Sequence, residues 1–237
     1  MTELQSIFWH HFNDVALEKL PGKSICDHYP NPIKTYLRDE PMNVLEIGPC
    51  HSVFITDLID GKHQFVVYDE DEFNNRSLLR RIEQINPDYL QKISSYRGKF
   101  PETEIDYSKF NLLIFSNVFH FVPHSELIRT AALVTQQVKP KSLIYFRTHF
   151  KEDGKVPTLH SNDLSEDDIY LLFPKESYKY HFCKAEIGAE PEIDKTLVEF
   201  ALKRTAIEIN RDVSEFLKAN KNSFNDIMDW FVLVEKK

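Results

Sequence analysis

Short runs of strand-forming residues alternate with segments of helical period along this chain, and that rhythm restricts the fold more than any other property. The first unit is Met42-Asn43-Val44-Leu45-Glu46-Ile47-Gly48-Pro49-Cys50-His51-Ser52. Val44, Leu45 and Ile47 favour a buried strand, and only Glu46 interrupts the apolar run. Gly48 ends it, where a residue without a side chain lets the backbone turn sharply and approach a ligand closely. Ser52 can accept a hydrogen bond from the first turn of a following helix, which offers Val53, Phe54, Ile55, Leu58 and Ile59 before the stop at Asp60-Gly61. A helix N-terminus facing a strand end presents free N–H groups and the positive end of a dipole, which suits a nucleotide-like ligand.

The pattern then repeats. Gln64 to Tyr68 reads as a second strand closed by the acidic run Asp69-Glu70-Asp71-Glu72, and residues 73 to 86 form a helix with Leu78, Leu79, Ile82 and Ile85 on one side. Lys92 to Tyr96 is a weaker third strand, and Phe110 to Ser116 a clear fourth. Pro123 opens a helix with Leu127, Ala131, Val134 and Val138 on one face, stopped by Pro140, and Ser142 to Arg147 is the next strand. Strands and helices in this order predict an α/β, doubly wound, mostly parallel Rossmann-like sheet with helices on both faces. Such sheets bind ligands outside the carboxyl ends of their strands, where the strand order reverses.

A single domain is expected, in four parts. Residues 1–40 form an N-terminal helical cap, with a helix over 3 to 20 that carries the unusual patch Trp9-His10-His11-Phe12 and ends at Pro21-Gly22. Residues 41–147 form the ligand-binding core. Residues 148–230 form an acceptor-side insertion and helices, in which the aromatic stretch from 170 to 182 is a candidate pocket and 195 to 220 a helix. Residues 231–237 form a closing strand, starting near Trp230, at the edge of the sheet.

At 237 residues, 42% hydrophobic, the chain has material for one sizeable core. A net charge of -8 argues against a broad phosphate-gripping face, so no nucleic-acid partner is expected. Cys26, Cys50 and Cys183 are too few and too widely spaced for a disulfide framework or a zinc ribbon. His181 and Cys183 lack the further ligands a metal needs, so no metal site is expected. The first residues do not form a secretory signal and no apolar run reaches membrane-spanning length, so the expectation is a reduced, cytoplasmic protein that does not engage a membrane.

Asp69 follows the glycine turn by about twenty residues, at the end of a neighbouring strand, where a carboxylate can accept both hydroxyls of a ribose. Its three acidic neighbours read as a solvated run. Nicotinamide enzymes need a Gly-x-Gly-x-x-Gly turn to admit a pyrophosphate, and this turn has one glycine. Glu46 inside the first strand is also more comfortable beside a cationic ligand than beside a diphosphate.

On these residues the chain resembles a family. Val44-Leu45-Glu46-Ile47-Gly48, Asp69 after the next strand, Phe110 through Phe121, and Val138-Lys139-Pro140-Lys141-Ser142-Leu143-Ile144-Tyr145 are similar to the class I S-adenosylmethionine-dependent methyltransferases over about residues 42 to 147. The resemblance implies S-adenosylmethionine as cofactor. Glu46, Gly48, Pro49 and Cys50 would lie beside its methionine part, and Asp69, with Glu70, at its ribose. Ser116, Asn117 and Val118 would line the methyl-transfer end. Cys50 and Ser52 replace later glycines of the family's turn, Lys99 stands where an acid often meets the adenine, and Asn111 replaces another acid. Phe100 or Arg97 would then stack on the adenine.

The activity implied is methyl transfer to a nitrogen or oxygen of a small-molecule acceptor. His120, just past the fourth strand, is the candidate base, with an unperturbed pKa suited to that task. The same position also suits a histidine that packs on the cofactor or caps the helix at Pro123. His149 is a second candidate, Arg147 could hold an acidic substrate, and Tyr145 reads as core. His10 and His11 could lie in a helical lid or in a packing helix. Two alternatives stay open: an inactive methyltransferase-like binding or scaffold protein, and methylation of a peptide or protein side chain.

Overall fold

The computed structural model describes residues 3–19, 33–37, 39–49, 53–59, 61–149, 163–187, 192–220 and 228–237. At its centre β1 (Asn43–Ile47) pairs in parallel with β2 (Gln64–Asp69) on one side and β4 (Leu112–Ser116) on the other. β3 (Ile93–Arg97) extends the sheet beyond β2, and β5 (Leu143–His149) extends it beyond β4, both in parallel. β7 (Met228–Lys236) and β6 (Tyr178–Ile187) complete it as antiparallel strands, giving the seven-stranded order β3-β2-β1-β4-β5-β7-β6. The chain builds outward from β1 to β3, then crosses back to start β4 on the other side of β1. The crevice at the carboxyl ends of β1 and β4 is therefore the switch point where such sheets take ligands.

β1 is central because both of its faces are apolar. Leu45 and Ile47 belong to one core with Leu113, Phe115, Ile144 and Phe146. Val44 belongs to the other, with Phe65, Val67, Ile114 and Tyr145. The first core is covered by α4 (His124–Gln137), whose Leu127, Ala131 and Val134 recur at helical spacing, and by α5 (Glu166–Leu172), started by a Ser165–Asp168 capping box. The second is covered by α2 (Val53–Leu58), through Ile55 and Leu58, and by α3 (Glu72–Ile85), through Leu78 and Ile82. Asp71 caps α3, its carboxylate accepting the Phe73 N–H at 2.9 Å.

Two expectations change here. The last strand does not close the sheet edge. It inserts between β5 and β6, and the edge falls to β6. The aromatic stretch expected as a candidate acceptor pocket is divided between α5, its C-terminal turn and the edge strand β6, and part of it goes into the core. Tyr178 and Phe173 are each 1% exposed in the first core, and the Tyr180 hydroxyl donates to the Phe173 carbonyl at 2.5 Å. The ten-residue β6 pairs antiparallel with β7 on one side, with a bulge between Tyr180 and Phe182.

The helix expected over 195 to 220 is two helices, α6 (Glu192–Glu208) and α7 (Val213–Asn220). Between them Asn210 adopts φ 55°, the Arg211 N–H closes on the Ala206 carbonyl at 2.8 Å, and Asp212 caps the Glu215 N–H at 2.9 Å. The N-terminal helix α1 (Glu3–Lys19) packs Phe8, Phe12, Val15 and Ala16 onto Leu197, Ala201 and Leu202 of α6. His11 bonds to Glu208 at 2.7 Å, and Arg204 reaches both Glu18 oxygens at 3.0 and 2.7 Å. α1 also touches α3 near its start, so this cap reaches the carboxyl end of β2.

Candidate active site

The turn after β1 is held by its neighbours. The Gly48 N–H donates to the Tyr68 carbonyl at 2.9 Å, and Gly48 takes φ +70°, a left-handed conformation that favours glycine. A β-carbon there would lie 2.3 Å from Val118 Cγ1 and 3.0 Å from the Ser116 carbonyl oxygen. The turns that follow β1 and β4 thus touch through the bare face of Gly48. Pro49 beside it is buried. Cys50 and Ser52 lie outside the described residues. Glu46 is 0% exposed and accepts a hydrogen bond from Ser116 Oγ at 2.7 Å, placing a buried carboxylate directly below the turn.

At the end of β2, Asp69 is 7% exposed. Its Oδ1 accepts the Asp71 N–H at 2.9 Å and Asn74 Nδ2 at 3.2 Å, so the carboxylate is oriented from within the protein. Glu70 is exposed, and its carbonyl is held by Arg97 Nε at 3.1 Å. The loop after β3 returns to this point, with the Gly98 N–H bonded to the Asp69 carbonyl at 3.0 Å. Lys99 turns outward to pair with Glu102 at 2.5 Å. Phe100, the candidate for stacking on the adenine, is half-buried on this loop. Its ring lies 5.5 Å from Phe115 and 6.2 Å from Phe119, packed against the first core. Burying that ring among other aromatics gains more than leaving it on a loop surface. Asp71 is no member of a solvated run, because it caps α3 and bonds to His10 of α1. Burial pushes its carboxyl up, but the bonds from His10 and the Phe73 N–H, with the charges of His10 and Arg97, hold it below the ordinary aspartate value.

At the end of β4, Asn117 stands at φ 53° and donates its backbone N–H to the Arg147 carbonyl at 3.0 Å. Its side-chain Oδ1 is buried with no hydrogen-bond partner. His120, on the short turn Phe119–Phe121, is 3% exposed. Its ring stacks on His149 at 3.9 Å, the planes 9° apart, and His149 Nδ1 stands 3.8 Å from Asp163 Oδ1. Arg147, the candidate for an acidic substrate, reaches Asp229, 2% exposed, at 2.6 Å and lies over the Phe231 ring. Tyr145 is core, at 0% exposure.

The structure brings Glu46, Gly48, Asp69, Ser116, Asn117 and Val118 to adjacent strand ends, and sets His120 beside them, paired with His149. Asn13, Asn74, Asp163 and Asp229 are additions that sequence reasoning missed. Asp71 carried a readable signal, an Asp just before a helix start. The others depend on contacts between distant segments. Among the described residues no three His, Cys, Asp or Glu side chains gather as a metal site, and no helix is long and apolar enough to cross a membrane.

Chemically, the crevice is rich in acceptors. Two oriented carboxylates and the orphaned Asn117 oxygen suit a ligand that brings hydroxyls and positive charge, and a nucleoside carrying an ammonium and a sulfonium is such a ligand.

No protein-family model matches the sequence, and no curated protein matches it. Solved structures do. YjhP from E. coli superposes with a TM-score of 0.65 at 10% identity, covering 96% of this chain and 100% of that one. A methyltransferase from Geobacter sulfurreducens, in complex with S-adenosylhomocysteine, gives 0.64 at 11% identity over 96% and 98%. Coclaurine N-methyltransferase, bound to N-methylheliamine and S-adenosylhomocysteine, gives 0.60 at 9% identity over 95% and 70%. At such identities the likeness speaks to architecture, and this chain has the fold of the class I S-adenosylmethionine-dependent methyltransferases.

Proposed function

We propose that this protein transfers a methyl group from S-adenosylmethionine to a nitrogen or oxygen of a small-molecule acceptor. The observation that carries the reading is the switch-point crevice, where Glu46, Asp69 and the Ser116–Val118 turn converge around Gly48. The solved neighbours bound to S-adenosylhomocysteine, one of them also to N-methylheliamine, support it. In this assignment Asp69 accepts the ribose hydroxyls. The Asn117 oxygen and the buried Glu46 carboxylate favour the positive charge of the methionine part. The bound cofactor supplies a methyl group activated on a sulfonium sulfur.

The chain's own contribution is alignment, exclusion of water and removal of a proton. His120 takes the proton from the attacking nitrogen or oxygen. Its stacked partner His149 holds the ring plane, with Asp163 Oδ1 3.8 Å from His149 Nδ1.

Titration calorimetry of the purified chain with S-adenosylhomocysteine tests the reading. Binding is expected, and at a hundredfold excess over Kd it adds about 2.7 kcal/mol of stability. For a domain of this size that raises Tm by about 5–10 °C. Asp69→Ala loses most of the affinity. Folded protein that takes up neither nucleoside would overturn the proposal. Transfer of isotope-labelled methyl to a panel of small amines and phenols, absent in His120→Gln, tests the acceptor and the base.

A further inference from the structure

Two hydrogen-bonded arms leave one face of α1 and end on the same oxygen of Asp69. His10 and Asn13 are three residues apart, so they project from the same side of the helix. In the first arm His10 Nε2 is hydrogen-bonded to Asp71 Oδ2, and the Asp71 N–H donates to Asp69 Oδ1 at 2.9 Å. The His10 ring also stacks on Phe73, centroids 4.3 Å apart. In the second arm Asn13 Nδ2 donates to Asn74 Oδ1 at 3.2 Å, and Asn74 Nδ2 donates to Asp69 Oδ1 at 3.2 Å. Asn13 is 0% exposed and Asn74 5%. Burying two amides is costly unless they are bonded, so this arm is a specific junction between α1 and α3.

We propose that His10 and Asn13 are positioning residues for the ribose of the cofactor, acting through Asp69. The inference rests on the reading of Asp69 as the ribose-binding acid. A carboxylate with one oxygen fixed by two donors keeps its rotamer, so it meets a pair of hydroxyls without losing side-chain freedom on binding. The fixing donors are themselves placed by α1, and α1 is seated on α6 by an apolar interface. Docking of the cap helix and affinity for the nucleoside are then linked. Linkage is reciprocal: what α1 adds to binding, binding returns to α1. The Trp9-His10-His11-Phe12 patch thereby divides its work, with Phe12 beside Phe8 seating the helix, His11 bonded to Glu208 and His10 bonded to Asp71.

The test uses the full chain and S-adenosylhomocysteine as the probe, with affinity read by calorimetry and the cap by hydrogen exchange over residues 3–19. His10→Phe keeps a ring on Phe73 and removes the bond to Asp71, so it should bind about tenfold more weakly, equivalent to about 1.4 kcal/mol. His10→Gln retains a donor toward Asp71 and should return most of that loss, which a role in packing alone would not produce. On an Asp69→Asn background, His10→Phe should add less than about twofold, because the residue through which it acts has gone. In the wild type the ligand should slow exchange in α1.

Wild-type affinity in His10→Phe, or losses that multiply fully in the double variant, would overturn the positioning role while leaving the cofactor reading intact. A wild type that binds no S-adenosylhomocysteine would overturn both. If His10→Phe melts early, Asn13→Ser carries the same comparison through the other arm.

Discussion

Gly48→Ala tests the architecture of the crevice with a single methyl group. The first cost is conformational: an L-residue in the left-handed region is disfavoured by about 1–2 kcal/mol, and Gly48 sits there at φ +70°. The second is steric. The new methyl would lie 2.3 Å from Val118 Cγ1, far inside contact distance, and relieving it means moving Val118 or the turn at about 1–3 kcal/mol. Together these give about 3 kcal/mol, or a Tm lower by about 6–12 °C. Urea unfolding followed by circular dichroism measures it, with m unchanged if the denatured state is unaffected. Adding Val118→Ala removes the closest contact but leaves the Ser116 carbonyl at 3.0 Å and the backbone strain. The double variant should therefore be more stable than the sum of the singles by about 1–2 kcal/mol. A Gly48→Ala protein within about 0.5 kcal/mol of wild type would refute the reasoning, since that is the range of an inconsequential surface change.

Three further outcomes follow from groups near the site and at the sheet edge. Arg147→Met leaves Asp229, 2% exposed, as a buried carboxylate without its cation, and should lower stability by about 3–5 kcal/mol in a urea melt; Arg147→Met with Asp229→Leu should recover much of that. The folded Asp71 carboxyl lies below its unfolded value, so its stabilisation is full above about pH 4–5 and is lost as pH falls through the depressed folded value. The stability gap between wild type and Asp71→Asn should accordingly close on acidification, and a gap independent of pH would count against the His10 bond. Burial pushes the Cys183 thiol up to about 11, leaving about a hundredfold less thiolate at pH 8 than an ordinary cysteine has, so peptide mapping should find Cys183 alkylated far more slowly than in the unfolded chain.

The inner strands were legible because each is apolar on both faces, which leaves a parallel sheet as the economical solution. β3 was weaker in sequence for a physical reason: Ser94 and Tyr96 are exposed on an outer strand, so burial does not dictate its pattern. The exchange of β7 for β6 at the edge was not legible. Trp230 to Val234 reads as an apolar strand, whereas Tyr178 to Phe182, interrupted by Lys179 and His181, reads as part of an aromatic insertion. Which lies inside depends on where the chain returns after 148 to 194, and that is a property of the whole path. The break between α6 and α7 had a local signal, Asn210 followed by a capping Asp212, but the apolar period runs on across it and hides it.

The same distinction separates the two halves of the candidate site. Glu46, Gly48, Asp69 and Asn117 sit where strands end, so locating the strands located them, and their environments follow from register: Gly48 beside Tyr68, Asn117 beside Arg147. The side of the crevice around the proposed base His120 is assembled otherwise. His120, His149, Asp163 and Asp229 come from four separate segments, joined by a ring stack, a His149–Asp163 approach of 3.8 Å, and β5–β7 pairing that sets His149 against Asp229. No periodicity relates those positions, and substitution at any one leaves the sheet's pattern unchanged. The cap contacts are of this second kind, since His10 meets Asp71 across 61 residues. For this chain, cofactor affinity should accordingly respond to changes along β1, β2 and the cap helix. Acceptor choice should respond to changes around His149 and Asp163, and a variant at His149 that altered nucleoside binding as strongly as Asp69→Ala would show the two halves to be one.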